Sequence, residues 1–285
     1  MDKRPPHRRP DAGEDAGLST ETNLKKMMKI KLALVICLLI LLISAGCPDS
    51  EPDVTPLTPP TLTPDSKLVA LYFDDAYVNQ YEAALPVLLQ YRFRATFSVI
   101  TGSIGTGQDL MEYMDVDELK TLADYGMEIA SHTMTHPHLA GLTEAQLEAE
   151  IAGSKQDLEE MGFKINSLAY PYYEYDDRVI ACAHDAGYTC ARAGWSAEGA
   201  YDLNTADQLA RYHLQSWQIS NQDIVTFKQY LEKASRTSAV GLVYHFISDT
   251  GPGETSTSPA DFNSQMTYLY DNGYTVILVS EIIGQ

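Results

Sequence analysis

Between Lys67 and Gln285 the chain alternates, about seven times, between short apolar runs and helical stretches of roughly ten residues or more. The strand-like runs are Leu68–Phe73, Ala95–Ile100, Met127–Ala130, Ser167–Tyr170, Tyr188–Ala193, Tyr212–Gln215, Val240–Phe246 and Thr275–Val279. The helical stretches are Glu82–Tyr91, 115–125, 143–161, Asp176–Ala186, 221–234 and 259–271, with Thr143 well suited to cap the third. Strands joined by helical crossovers pair in parallel, and this many repeats favour a closed or nearly closed (β/α) barrel over an open sheet. No dinucleotide glycine fingerprint or phosphate-binding loop interrupts the pattern.

The candidate chemistry stands just after the predicted strands, where parallel barrels build their sites. Asp74 and Asp75 close the first strand, His132 and His136 follow the third, Pro171 and Tyr172 follow the fourth, and His245 ends a late one. Alone, each pattern has an ordinary structural explanation: paired Asp residues are common in turns, and an H-x3-H pair often belongs to a core. If residues 132–136 form a turn of helix, both imidazoles share one face. Two neutral imidazoles and one carboxylate leave positions open on a bound ion for water and substrate. Asp75 supplies that carboxylate.

These residues resemble a known family. Tyr72-Phe-Asp74-Asp75-Ala-Tyr is similar to the first motif, T-F-D-D-G, of the NodB-type polysaccharide deacetylases, carbohydrate esterase family 4. Ser-His132-Thr-Met-Thr-His136-Pro-His-Leu matches their second motif, S-H-[ST]-x-x-H-P-x-L. Ala169-Tyr170-Pro171-Tyr172 resembles the third and Leu242-Val-Tyr-His245 the fifth. The resemblance runs over residues 68–285 and implies a distorted (β/α)7 barrel. It also implies one divalent metal on Asp75, His132 and His136: Zn2+ by default, with Co2+, Ni2+, Fe2+ or Mn2+ accepted by the same donors. Asp74 would be the general base, His245 the general acid, and the main-chain N–H of Tyr172 the oxyanion donor. The implied reaction is hydrolysis of N-acetyl groups on a wall or extracellular glycan. Removal of O-acetyl esters, as from acetylxylan, or non-catalytic glycan binding are the alternatives. Tyr77, Pro171, Tyr172 and Trp195 are candidates for substrate contact.

Two places depart from the pattern. Ala169 stands where the family carries an Arg that tethers the base, and Arg211, before a later strand, is the candidate replacement. Ala76 stands where the first motif has Gly.

Ahead of the barrel lie three other segments. Residues 1–26 are a polar extension, with Met27 or Met28 the candidate true start. Residues 27–47 read as an export signal: a basic start, an apolar run from Leu32 to Ile43, then Ser-Ala-Gly-Cys. That ending resembles a lipobox, with Ser44 where Leu is usual, so lipid attachment at Cys47 and a cell-surface location are expected. Residues 48–66, rich in Pro, Thr and Asp, read as a tether, and 67–285 as the catalytic domain. The formal charge is −19; residues 1–46 hold eight Lys/Arg and five Asp/Glu, a surplus of three, leaving −22 from Cys47 onward. Such a chain does not suit nucleic acid, whose phosphates demand cations. The expected partners are the glycan and, through the anchor alone, a membrane, with the protein acting as a monomer. Cys182 and Cys190 remain as a candidate disulfide in an exported protein, with two free thiols the alternative.

Overall fold

The computed structural model describes residues 55–194, 200–202, 210–220, 224–281 and 283. Its strands are β1 (Lys67–Phe73), β2 (Thr96–Val99), β3 (Glu128–Ser131), β4 (Ser167–Ala169), β5 (Cys190–Arg192), β6 (Ala200–Asp202), β7 (Trp217–Gln218), β8 (Ser238–Tyr244), β9 (Phe246–Ile247), β10 (Ser256–Thr257) and β11 (Tyr274–Ile277). The α-helices are α1 (Leu85–Tyr91), α2 (Val116–Asp124), α3 (Glu144–Glu160), α4 (Asp177–Asp185), α5 (Ile224–Tyr230) and α6 (Pro259–Asp271).

Parallel pairing runs β5-β4-β3-β2-β1-β8, and β7 pairs with the other side of β8. A parallel bridge between Arg192 and Leu214, with Leu214 N–H donating to Ala191 and Ala193 N–H to Leu214, joins β5 to the segment entering β7. The strands therefore close into the distorted seven-stranded barrel expected, with one thin seam. β11 pairs with the first half of β1, and β6 joins β8 antiparallel as an edge strand that the sequence pattern did not reveal. The predicted strand Tyr212–Gln215 is instead a 3-10 turn at Ala210–Tyr212 followed by that single bridge.

β1 shows how the sequence sorts its faces. Val69, Leu71 and Phe73 pack outward against the helices, while Leu68, Ala70 and Tyr72 point into the barrel. Phe73 anchors the helix side, its ring 4.7 Å from Phe97, 5.5 Å from Tyr244 and 5.8 Å from Phe262. Capping boxes begin two helices: Asp115 with Glu118 at α2, and Thr143 with Gln146 at α3. The expected helix 82–91 divides into a wider π-helical turn, Gln80–Ala84, and then α1, whose first turn holds Pro86. Proline lacks an N–H to continue an α-helical ladder across that point.

The tether is shorter than its composition suggests. Within the described residues, packing already begins in this segment. Leu57 is buried and its N–H donates to Tyr125 O at 3.0 Å, while Leu62 packs against the interior cluster. Gly126, at φ 86°, lies beneath this segment; a Cβ there would fall 2.7 Å from Leu57 O. None of the described helices is long and apolar enough to cross a membrane. The extension, the signal with Cys47, the first part of the tether and Trp195 lie outside the described residues.

The disulfide expectation is corrected: Cys182 and Cys190 are both free. Cys190 faces the barrel interior beside Tyr72 and Leu214, whereas Cys182, on α4, packs against the helix-side core. The sheet lies between them.

The interior on the β2–β5 side is polar. Glu128, buried, accepts hydrogen bonds from Thr96 and Ser167, each at 2.8 Å. Burial pushes its carboxyl above the ordinary value, against the lowering effect of hydrogen bonds from Ser280, Thr96 and Ser167. A raised folded-state pKa contributes stability that is complete below the unfolded value and is lost as pH rises through the folded value. Relative to wild type, Glu128→Gln should therefore gain stability as pH rises from about 4 to 8. Thermal melts of the two proteins across that range, compared as a difference in Tm, check this.

Candidate metal and acid–base centre

At the C-terminal exits of β1, β3, β4 and β8, the structure brings together Asp74, Asp75, His132, His136, Tyr172 and His245. The centre has two halves. In one, Asp75 Oδ1 lies 3.6 Å from His132 Nε2 and 3.7 Å from His136 Nε2, and one ligand atom from each residue falls within 4.8 Å of the others. Two donors each about 2 Å from one ion stand no more than about 4 Å apart, and both Asp75–His distances fall inside that limit. His132 Nδ1 lies 2.8 Å from Ala169 O and donates to it, which fixes the tautomer and turns the Nε2 lone pair towards Asp75. Burial lowers His132 to about 3 and also lowers His136, so both imidazoles are neutral. Burial, then the charge of Asp74, raises Asp75 to about 7. A nearby cation is what such a carboxylate lacks. The donor set fits a divalent metal.

The two histidines do not reach this arrangement on a helix. Residues 132–138 form an irregular loop, with Thr133 at φ 67° and His136 at φ 60°. Pro137 explains why, since the residue before proline is driven out of the helical region. The loop is instead held by side chains. Glu150, from α3, accepts from the N–H groups of Met134 (3.0 Å) and Thr135 (2.8 Å) and from the Thr135 hydroxyl (2.6 Å). Thr133 Oγ1 accepts from His136 N–H, and Ser131 Oγ from Thr133 N–H, both at 3.1 Å.

In the other half, Asp74 is 1% exposed and its two carboxylate oxygens accept from Arg192 Nη2 at 2.6 and 2.5 Å. Burial alone would raise Asp74, but the Arg192 guanidinium, with His132 and His245, holds it well below the ordinary range. The tether is thus Arg192 on β5, not Arg211. Arg211 is half-buried on the 3-10 turn at 210–212. Arg192 shares the inward face with Cys190, two positions before it, and is enclosed by the rings of Tyr72 (5.2 Å) and Tyr173 (5.7 Å). A charged residue within the apolar run Tyr188–Ala193 was the available signal. His245 Nε2 stands 3.9 Å from Asp74 Oδ2, and burial lowers its pKa against the pull of Asp74.

Tyr172 and Tyr173 both have left-handed backbone, φ 53° and 62°. The turn's hydrogen bonds are donated by Tyr173 N–H to Tyr170 and by Glu174 N–H to Pro171, and Tyr172 N–H takes no part in them. The Tyr172 ring is 52% exposed, edge-on to His136 at 4.6 Å and stacked on His138 at 4.0 Å. His138 in turn meets Glu174 at 3.0 Å, and His213 meets the Tyr175 hydroxyl at 3.3 Å. Two of the substrate candidates are buried. Tyr77 is buried, stacked on Phe246 at 4.1 Å, and its hydroxyl hydrogen-bonds Asp75. Pro171 is buried within the turn.

With this geometry in hand, comparison with known proteins is decisive: residues 61–191 match the family described as polysaccharide deacetylase. This stretch is a polysaccharide deacetylase domain. Over 126 residues the chain is 36% identical to the putative polysaccharide deacetylase YxkH of Bacillus subtilis, covering 44% of each protein. It is 27% identical over 129 residues to chitin deacetylase 1 of Cryptococcus neoformans, covering 44% of this chain and 25% of that one. The chain thus spans less than half the length of these curated relatives. Among solved structures, the Streptococcus pyogenes deacetylase PplD in complex with acetate is 25% identical, with a TM-score of 0.51, covering 57% of this chain and 70% of that one. A pseudoenzyme of carbohydrate esterase family 4 from Bacillus anthracis shares the fold at 17% identity and a TM-score of 0.54, covering 78% and 66%. The family is metal-dependent, in keeping with the cluster at Asp75, His132 and His136.

Two outcomes follow for this polysaccharide deacetylase domain. Glu150→Gln should weaken Zn2+ binding by about 10- to 100-fold, the usual effect of losing an outer partner of a metal site, as read by competition with a chromogenic chelator. Arg192→Met strands a buried carboxylate and should cost about 3–5 kcal/mol in urea unfolding, while Arg211→Met should fall within about 0.5 kcal/mol of wild type.

Proposed function

We propose that this domain hydrolyses the N-acetyl groups of an N-acetylglucosamine-type polysaccharide of a cell wall or extracellular matrix, releasing acetate. The observation that carries the reading is the division of labour between neighbours: Asp74 held ionised by Arg192, and Asp75 grouped with His132 and His136. Asp75, His132 and His136 would hold one divalent ion, Zn2+ by donor type. When bound, it supplies Lewis acidity, polarising the acetamide carbonyl and making water more acidic.

The protein's own groups do the rest. Asp74, ionised across the physiological range, accepts the proton of the attacking water. The Tyr172 N–H donates to the carbonyl oxygen as it gains charge. His245, 3.9 Å from Asp74, donates a proton to the departing amine, and burial makes its protonated form a stronger acid than free imidazole. The half-exposed Tyr172 ring offers a flat surface for a sugar beside the reacting group. The signal ending at Cys47 supports a surface-anchored enzyme; incorporation of labelled palmitate into wild type and not into Cys47→Ala is the corresponding test.

The reading is tested by acetate release from chitin oligomers, peptidoglycan, poly-N-acetylglucosamine and acetylxylan. The amide substrates should yield acetate, the yield should vanish with chelator and return with Zn2+, and Asp74→Asn should lower turnover by about 10⁴-fold or more. Release from acetylxylan alone would assign an esterase. Release that survives both chelation and Asp74→Asn would overturn the mechanism.

A further inference from the structure

Behind the acid–base half lies a buried side chain that touches neither reactant. Gln80, 0% exposed, sits on the π-helical turn Gln80–Ala84 and sends its Nε2 between two strand exits. That nitrogen donates to Asp74 O at 2.5 Å and to His245 O at 2.7 Å. These carbonyls belong to the proposed base and the proposed acid. The preceding residue extends the connection: Asn79 Oδ1 accepts from Ile247 N–H at 2.9 Å. The adjacent ladder bond, from Asp74 N–H to Tyr244 O at 2.9 Å, is the last that β1 and β8 share directly before their chains diverge into the site.

Both partners of this atom are carbonyl oxygens, which only accept, so the atom must be the amide NH2 and not its oxygen, and the orientation is set by the partners. The same orientation leaves Gln80 Oε1 buried without a hydrogen-bond partner among the described residues. The geometry points to Gln80 as a positioning residue that fixes the spacing of Asp74 and His245, with Asn79 holding the next turn of the acid's loop. This rests on the deacetylase reading for the roles of base and acid; the Gln80 amide bonds main-chain carbonyls and touches no side chain of the metal-ligand set.

The test uses the full chain with Gln80→Met, similar in volume and lacking donors, and Gln80→Asn, too short to span both carbonyls. Kinetics use the N-acetylglucosamine pentamer and acetylxylan, with Zn2+ affinity, thermal melts and hydrogen exchange of the 244–248 segment measured alongside. We expect kcat to fall about 10- to 100-fold, the scale set by an ångström of misplacement, with KM within about twofold. Exchange in 244–248 should accelerate, while Zn2+ affinity stays within about twofold and the Tm within about 4 °C of wild type. Wild-type kcat in Gln80→Met would overturn the proposal, as would unchanged exchange in 244–248. So would kcat and Zn2+ affinity falling together in both variants, which would make Gln80 a general structural support. An Asp74→Asn protein with undiminished turnover would instead remove the deacetylase mechanism itself, whatever the Gln80 variants do.

Discussion

The centre depends on one buried ion pair, Asp74 with Arg192, which crosses the barrel from β1 to β5. Both side chains are almost wholly removed from water, so each carries a desolvation cost that their attraction offsets only if the geometry is good. Its value to the protein lies in state and place. A carboxylate buried with no partner would take up a proton and be left with none to accept; the guanidinium keeps it ionised and fixes its direction. Tyr72 and Tyr173 enclose the guanidinium, and Gly194 leaves room for Tyr173, whose nearest ring atom would lie 1.8 Å from a Cβ at that position. Even the glycine after β5 therefore serves the ion pair.

Adjacent aspartates with opposite properties follow from backbone geometry. Asp74 continues the extended exit of β1, whereas Asp75 and Ala76 turn into left-handed conformation at φ 72° and 59°. The turn sends consecutive carboxylates to different partners, one to Arg192 and one to His132 and His136. Non-glycine residues in this region carry strain of about 1–2 kcal/mol each. Thr133, His136, Tyr172 and Tyr173 share it at the same rim. The strain is sustained by the rigid layer beneath, where Phe73, Phe97, Tyr244 and Phe262 interlock.

The parts of this centre that were legible in the sequence are those carried by short spacings. Asp74–Asp75, His132…His136 and His245 follow strands whose apolar runs are plain to read, and the barrel follows from their alternation with helices. Arg192 was not legible as the tether because its partner is 118 positions away, and the one local cue, a charge inside the apolar run Tyr188–Ala193, does not say what that charge pairs with. Glu150 and Gln80 escaped for another reason: most of their partners are main-chain atoms, which leave no trace in side-chain pattern. The helical placing of His132 and His136 failed on a local cue that was present, Pro137. Tyr77 illustrates a different limit, since an aromatic beside a site reads the same whether it faces sugar or, as here, carries a hydroxyl to Asp75 beneath Phe246.

The two halves of the centre are held by separate scaffolds. The candidate metal half is set by the β3 loop, Glu150 and the Ala169 carbonyl; the proposed acid–base half is set by β5 through Arg192 and by β8 through His245. The Asp74–Asp75 peptide joins them covalently. This separation makes loss of either half possible without collapse of the fold, and a pseudoenzyme among the structural neighbours of this domain shows that the fold outlives activity. In this chain both halves are present and mutually tuned: the ionised Asp74 that Arg192 maintains is also the charge that raises Asp75 and so strengthens its demand for a cation. The ion pair and the metal cluster are thus separate in structure and coupled in electrostatics, and the coupling runs through one peptide bond.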